Sequence, residues 1–323
     1  MNYERVTANQ ALFPAYFQGR WVERRLGATP VLYSTNLGAE FDVLVEGAGW
    51  LAIELVPRQV ALPNWLAVQI DGLPYQRFPI TAATIRLTLD RQPHVIRVVM
   101  SGNTDGDPVW AGHAGFAVKG VRSDGQLTPV RLGRREITFI GDSITAGCWV
   151  TGRQPGEDYR AETNYAAVAS DALNARNVRI AYSAAGLSRG GTGGVPPLGA
   201  VLTAIDGATP WQPAATDLVV VNVGTNDGGQ SGDEFAVTLR TFLNQVLDLY
   251  PATPLAVVIP FNQRFDRTIR RVMAAMPVGQ LIETAYWQPS LTDQVHPDLA
   301  GSRIAGQRLA AALRQRYPQL FDD

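Results

Sequence analysis

Three short polar segments, each following an apolar run, carry the side chains with the greatest chemical potential in this chain. The first is Phe139-Ile140-Gly141-Asp142-Ser143-Ile144-Thr145-Ala146-Gly147. Glycine ahead of Ser143 lets the backbone turn sharply, and a helix starting there would aim amide donors at the serine. The same residues suit a plain helix N-cap, so this segment alone leaves Ser143 open between nucleophile and cap. It is not the Gly-x-Ser-x-Gly nucleophile elbow, because Thr145 stands where that motif needs glycine. The second segment is Val223-Gly224-Thr225-Asn226-Asp227-Gly228-Gly229, in which Asn226 has an amide NH₂ that can donate to an oxyanion. Asn-Asp-Gly is also simply a good turn. The third is Leu291-Thr292-Asp293-Gln294-Val295-His296-Pro297-Asp298. Pro297 suits a first helical position and holds His296 extended outside the helix. Asp293 can fold back to accept from His296 Nδ1–H, leaving Nε2 to take a proton from serine. The plainer alternative is a histidine capping the helix beside a solvent-facing aspartate. His94 in Pro93-His94-Val95-Ile96, and His113 in a polar turn, read as structural.

Elements that would position these groups change character near residue 133. Before it come closely spaced β-like runs: Phe41–Val45, Trp50–Val56, Trp65–Ile70, Ala83–Leu89, Val95–Met100 and Gly115–Val121. Asp71-Gly72, Asn103-Thr104-Asp105-Gly106 and Asp124-Gly125 mark turns between them. Such spacing without intervening helices predicts an antiparallel β-sandwich over residues 1–132. After Glu136 the pattern is strand then helix: Ile137–Ile140, Val178–Tyr182, Leu218–Val223, Leu255–Ile259 and Gln280–Thr284 are β-prone. Phe235, Leu239, Phe242, Val246 and Leu249 form one helical face, and a last helix spans about Leu299 to Tyr317. Residues 133–323 therefore read as a three-layer α/β domain with a buried parallel sheet. The segment Val130–Arg135 is short and basic, which predicts two domains packed together instead of loosely tethered.

Composition removes several function classes. The chain has 323 residues, 46% hydrophobic and 18% charged, with net charge −1, so it is globular and has no basic excess for nucleic acid. No apolar run approaches the ~18 residues that span a bilayer. Cys148, the single cysteine, supports neither an intramolecular disulfide nor a multi-cysteine metal site and reads as buried packing. Lys119 is the only lysine, a bias that GC-rich coding explains. Met1-Asn2-Tyr3-Glu4-Arg5 has no basic-then-apolar signal. The chain as written reads as cytoplasmic, or as a secreted mature form given a new methionine.

Taken in order, Gly141-Asp142-Ser143-Ile144, a glycine after the second strand, Gly224-Thr225-Asn226-Asp227 and Asp293-Gln294-Val295-His296 resemble the blocks of the SGNH (GDSL) hydrolase superfamily. The second block is matched by Gly186 in Ser183-Ala184-Ala185-Gly186-Leu187-Ser188, with Gly190 the fallback. The preceding β-sandwich, with Phe17-Gln18-Gly19-Arg20-Trp21 and Gln69-Ile70-Asp71-Gly72, is similar to carbohydrate esterase family 2. Members of that family remove acetyl groups from plant-type polysaccharides, xylan among them, and are usually secreted. The resemblance implies a flavodoxin-like α/β/α catalytic domain behind a jelly-roll domain. Some members lack the aspartate before the histidine; Asp293 is present here and implies a full triad.

That resemblance implies a serine esterase removing short acyl groups, acetyl foremost, from acetylated sugars, oligosaccharides or polysaccharides through an acyl-enzyme. Ser143 is the implied nucleophile, His296 the base and Asp293 its orienting partner. The Ser143 and Gly186 backbone N–H groups and the Asn226 side chain form the implied oxyanion hole. No metal or organic cofactor is needed, and the implied partner is a small-molecule or carbohydrate ester. Asp142 and Asp227 read as loop-fixing residues. Residues Cys148–Glu162, with Trp149 and Tyr159, look too polar for core, and the glycine-dense Leu187–Leu198 can flex over the site. Trp211 and Trp287 are open between sugar stacking and core burial. Two other functions compete: a lipase or thioesterase for longer acyl chains, and a carbohydrate-binding protein without catalysis. The polar loop Thr151–Asp158 counts against the first, and the joint presence of Ser143, Asn226 and His296 counts against the second.

Overall fold

Alternation of apolar and polar side chains builds the strands of the N-terminal half. In Thr84–Thr88 the side chains of Ile85 and Leu87 are buried while the residues between and beside them are exposed, leaving one face wet. The computed structural model describes residues 2–58, 60–104 and 106–321. Met1 and Asp105, on which the N-terminal expectation and one turn expectation rest, lie outside them. Two antiparallel sheets form, one of seven strands centred on Glu40–Glu46 and His94–Gly102. The other, of five, runs Val22–Leu26, Thr29–Ser34, Phe116–Ser123, Trp50–Leu55, Thr84–Thr88. Phe17, Phe41, Val43, Ile53, Ile96 and Val118 share the core between them. Val22–Leu26 and Gln126–Leu132 are strands that the sequence pattern passed over. The first carries Glu23, Arg24 and Arg25 at an edge, and the second contains Pro129.

The C-terminal half is built on five parallel strands. In spatial order they are Ala175–Ala181, Arg135–Gly141, Leu218–Asn222, Leu255–Val258 and Gln280–Ile282. Numbered along the chain this is 2-1-3-4-5, the flavodoxin-like arrangement, whose order reverses between the first and third strands. Pleating sends Val219 and Val221 to the face covered by Phe235, Leu239 and Ile269. It sends Leu218 and Val220 to the face covered by Tyr165, Leu309 and Leu313. Helices thus cover both faces, giving three layers. Helix Gly232–Leu249 starts in a capping box: Ser231 Oγ accepts from Glu234 N–H (3.3 Å) and Glu234 Oε2 accepts from Ser231 N–H (2.7 Å).

The two halves share side-chain packing. Val31, Tyr33, Val109, Ala114 and Ala117 from the N-terminal half belong to one cluster with Ile180, Tyr182, Leu198 and Val219. Arg20 donates to the carbonyls of Val201 (2.7 Å) and Ala204 (2.6 Å), and Arg24 meets Asp206 at 2.9 Å. Only Gly133 and Arg134 separate the last strand of the sandwich, Gln126–Leu132, from the first parallel one. Gly133 has φ +72°, and a β-carbon there would lie 2.7 Å from the Ala175 carbonyl carbon. Contact between the halves also corrects the reading of Cys148–Glu162 as too polar for core. Cys148, Val150, Tyr159, Ala161 and Glu162 are all buried, because the sandwich closes over a loop that its own composition marks as exposed.

Candidate active site

The first parallel strand delivers Asp142 and Ser143 to the carboxyl edge of the sheet, beside the reversal of strand order where ligands bind in such folds. Gly141 must be glycine: a β-carbon would lie 2.2 Å from Thr145 Oγ1 and 2.7 Å from the Asn222 carbonyl. Asp142 caps the short helix Ser143–Ala146 by accepting from Ile144 N–H at 3.0 Å. Burial pushes the Asp142 carboxyl up to about 7; Asp227 adds to this, while the Ile144 amide and Thr225 hydroxyl oppose it. The Ser143 N–H is the first amide of that helix and has no intrahelical acceptor.

His296 arrives from the opposite end of the domain and completes a continuous relay. Its Nε2 lies 2.8 Å from Ser143 Oγ, and its Nδ1 lies 2.8 Å from Asp293 Oδ2 and 3.0 Å from Oδ1. Asp293 Oδ1 also accepts from the backbone N–H of Val295 (3.1 Å) and His296 (2.9 Å). Burial favours protonation of Asp293, but these bonds from His296 and Val295 outweigh it and hold the carboxyl below its ordinary value. A carboxylate taking several donors can fold back only through a tight loop. Leu291 bridges Pro297, the Thr292 N–H donates to the His296 carbonyl at 2.9 Å, and Gln294 has φ +72°. Pro297 does not occupy the first helical turn. Asp298 is the cap of Leu299–Arg316, accepting from Gly301 N–H at 2.7 Å, and Pro297 precedes it.

Register brings Asn226 to the same edge, since Asn222 pairs with Gly141 across the first and third strands. Its Nδ2 donates one hydrogen to the Ala185 carbonyl at 3.0 Å, tying together the loops after the second and third strands, and carries a second hydrogen. Gly186 is buried in the loop after the second strand, but its N–H donates to the Arg189 carbonyl at 2.9 Å. The loop closes a tight turn on itself, so the Gly186 N–H implied for the oxyanion hole is engaged within its own loop in this structure. Gly190 is exposed. Asp227 Oδ1 accepts from Ser188 N–H (3.0 Å) and Oγ–H (3.2 Å), a loop-fixing arrangement. The segment Leu187–Leu198 is laced by Gly191 N–H to the Val195 carbonyl and Leu198 N–H to the Gly186 carbonyl, at 2.8 and 2.9 Å.

Trp211 is buried with the Arg20 guanidinium 4.5 Å over its ring, so it offers no face to a sugar. Trp287 packs on Phe261 with centroids 6.0 Å apart and is half-buried. Sequence reasoning named Trp149 only as one member of a loop; the structure sets its indole 6.5 Å from the His296 ring. Its φ of +58° has no counterpart in residue type, so composition carries no signal for that placement. His94 lies between Asp71 and Asp90, away from this set. Among the described residues no three or more His, Cys, Asp or Glu side chains are grouped to hold a metal ion, and no helix is long and apolar enough to cross a membrane.

Residues 139–304 match the model of the GDSL-like Lipase/Acylhydrolase family. The Cellulase/esterase CelE of Acetivibrio thermocellus is 26% identical over 205 residues, which are 58% of this chain and 25% of that protein. The chain therefore aligns with about a quarter of the length of that relative. A family two carbohydrate esterase from Clostridium thermocellum, solved with cellohexaose, superposes with TM-score 0.77 at 19% identity, covering 94% of this chain and 99% of that one. One from Cellvibrio japonicus gives 0.77 at 17%, covering 99% and 98%. An acetyl xylan esterase from Butyrivibrio proteoclasticus gives 0.76 at 19%, covering 98% and 100%. Both the sandwich and the α/β domain are therefore shared with these folds.

Proposed function

The chain belongs to the GDSL-like lipase/acylhydrolase family, and we propose that it removes short acyl groups, acetyl foremost, from carbohydrate hydroxyls. The Ser143–His296–Asp293 relay carries the reading, because a pure binder gains nothing from a serine hydroxyl held 2.8 Å from an imidazole that a carboxylate orients. Ser143 Oγ attacks the ester carbonyl as its proton passes to His296 Nε2. Asp293 stabilises the imidazolium, which protonates the departing sugar oxygen. Water, deprotonated by His296, then attacks the acyl-serine, and acetate leaves as Ser143 recovers its proton. The Ser143 N–H and the second Asn226 Nδ2 hydrogen serve the developing oxyanion. The Gly186 N–H joins them only by turning away from the Arg189 carbonyl.

Substrate class is supported by the polar loop Thr151–Asp158 following the nucleophile, which offers no apolar trench for a long chain. The fold shared with carbohydrate esterases, one of them holding cellohexaose, points the same way. A series of p-nitrophenyl esters tests it: kcat/KM falls at least about tenfold from acetate to octanoate. A preference for octanoate overturns the reading in favour of a lipase or thioesterase, and no hydrolysis of any ester in favour of a binder.

Asn226→Ala lowers kcat on p-nitrophenyl acetate by about 10²–10³ with little change in KM, since an oxyanion donor acts mainly in the transition state. A drop below about threefold, with the melting temperature retained, removes Asn226 from that role.

A further inference from the structure

We propose that Trp149 is the sugar platform on the leaving-group side of this esterase site, a reading that rests on the carbohydrate-ester function above. The imidazole that protonates the departing oxygen must lie beside the body of the leaving group. Trp149 flanks that imidazole, with ring centroids 6.5 Å apart and planes at 57°. The indole is half-buried: Tyr159 meets it edge-on at 4.9 Å, and it packs at the margin of the sandwich core while keeping part of its surface exposed. An aromatic ring with one supported edge suits the CH face of a pyranose, which carries no charge and packs on flat apolar surface.

The backbone of Trp149 makes this placement specific. A bulky residue at φ +58° is strained and persists only where its surroundings over-determine it. Those surroundings come from the β-sandwich. Arg77, stacked on Trp65 at 4.7 Å, donates to the carbonyls of Glu157 (2.6 Å), Gly156 (3.2 Å) and Tyr159 (2.8 Å). Its Nε also lies 2.9 Å from Ser101 Oγ and 3.3 Å from Glu162 Oε1, and Ser101 donates to Glu162 at 2.6 Å. Arg77 therefore fixes the loop carrying Tyr159, and Tyr159 backs Trp149. On the other side, Thr292 Oγ1 donates to the Val150 carbonyl at 3.1 Å, tying the His296 loop to the residue after Trp149. The N-terminal domain thereby reaches the catalytic centre through one indole.

The test compares acetylated xylotriose with vinyl acetate, whose leaving group is too small to reach a platform. Trp149→Gly removes the ring while glycine accepts the left-handed backbone, so the fold is retained. The ratio of kcat/KM for the sugar ester to that for vinyl acetate falls about tenfold in this variant, mainly through KM, and Trp149→Phe restores most of it. A ratio constant within twofold, or an equal loss on both esters, overturns the platform while leaving the esterase reading intact. A gain in octanoate hydrolysis also overturns it, by making Trp149 a wall of the acyl side. A wild-type enzyme that cleaves vinyl acetate but no acetylated sugar overturns the carbohydrate reading and the platform with it.

Discussion

Ser143→Ala lowers kcat on p-nitrophenyl acetate by on the order of 10⁵–10⁶, the loss seen when the nucleophile of a serine relay is removed. The magnitude follows from the absence of a substitute. Cys148 is the nearest thiol in sequence, but it is buried and its N–H donates to the Ser143 carbonyl at 2.9 Å, which fixes it on the inner side of the turn. Thr145 is also buried, its hydroxyl paired with Tyr165 at 2.8 Å. Water at the vacated position meets a histidine base but loses the proximity that a covalently held oxygen provides. The substitution deletes one oxygen and one hydrogen bond, while the Asp142 cap and the buried strand remain. Folding stability therefore changes by only about 1 kcal/mol. Activity measured beside a melting curve separates the two effects. Retention of more than about 1% of wild-type turnover with an unchanged melting temperature rules Ser143 out as nucleophile, because no oxyanion hole alone supplies that much.

Why the site was largely legible, and the rest less so, has a physical basis. Ser143, Asn226 and the Asp293–His296 pair each follow a strand or lie in the last loop before a helix, so local patterning placed them on one sheet edge. Buried parallel strands must be apolar along their whole length, as in Leu218–Asn222, and such runs stand out. Edge strands obey no such rule. Val22–Leu26 alternates half-buried and exposed side chains and carries three charges, so nothing in its composition separates it from a loop. The burial of Tyr159 and Glu162 depends on Arg77 and Ser101, more than fifty residues upstream, and no window of local sequence contains that contact. The engagement of the Gly186 amide was hidden for a related reason. A glycine in a flexible-looking stretch offers a donor only if its own loop leaves that donor open, and the three-residue turn to Arg189 does not.

Asp293→Asn lowers kcat by about 10⁴, although the change is nearly isosteric, because it reverses the histidine tautomer. In the wild type Oδ1 is committed to the Val295 and His296 amides, at 3.1 and 2.9 Å, while Oδ2 accepts the Nδ1 proton at 2.8 Å. An asparagine must place its carbonyl oxygen where the two amides converge. Its NH₂ then occupies the Oδ2 position and donates to Nδ1, which forces the imidazole proton onto Nε2. That nitrogen lies 2.8 Å from Ser143 Oγ and, once protonated, can no longer accept the serine proton. Asp293→Ala imposes no such tautomer and should retain more activity than Asp293→Asn, an ordering opposite to what simple side-chain similarity predicts. The pH dependence of stability has a definite sign. Asp293 is held below its ordinary value of 3.8, so its contribution is present at neutral pH and is lost as pH falls through the lower folded-state value. The melting-temperature gap between wild type and Asp293→Asn therefore narrows below about pH 4. A loss of less than tenfold for Asp293→Asn, or more activity than in Asp293→Ala, would show that another group sets the His296 tautomer.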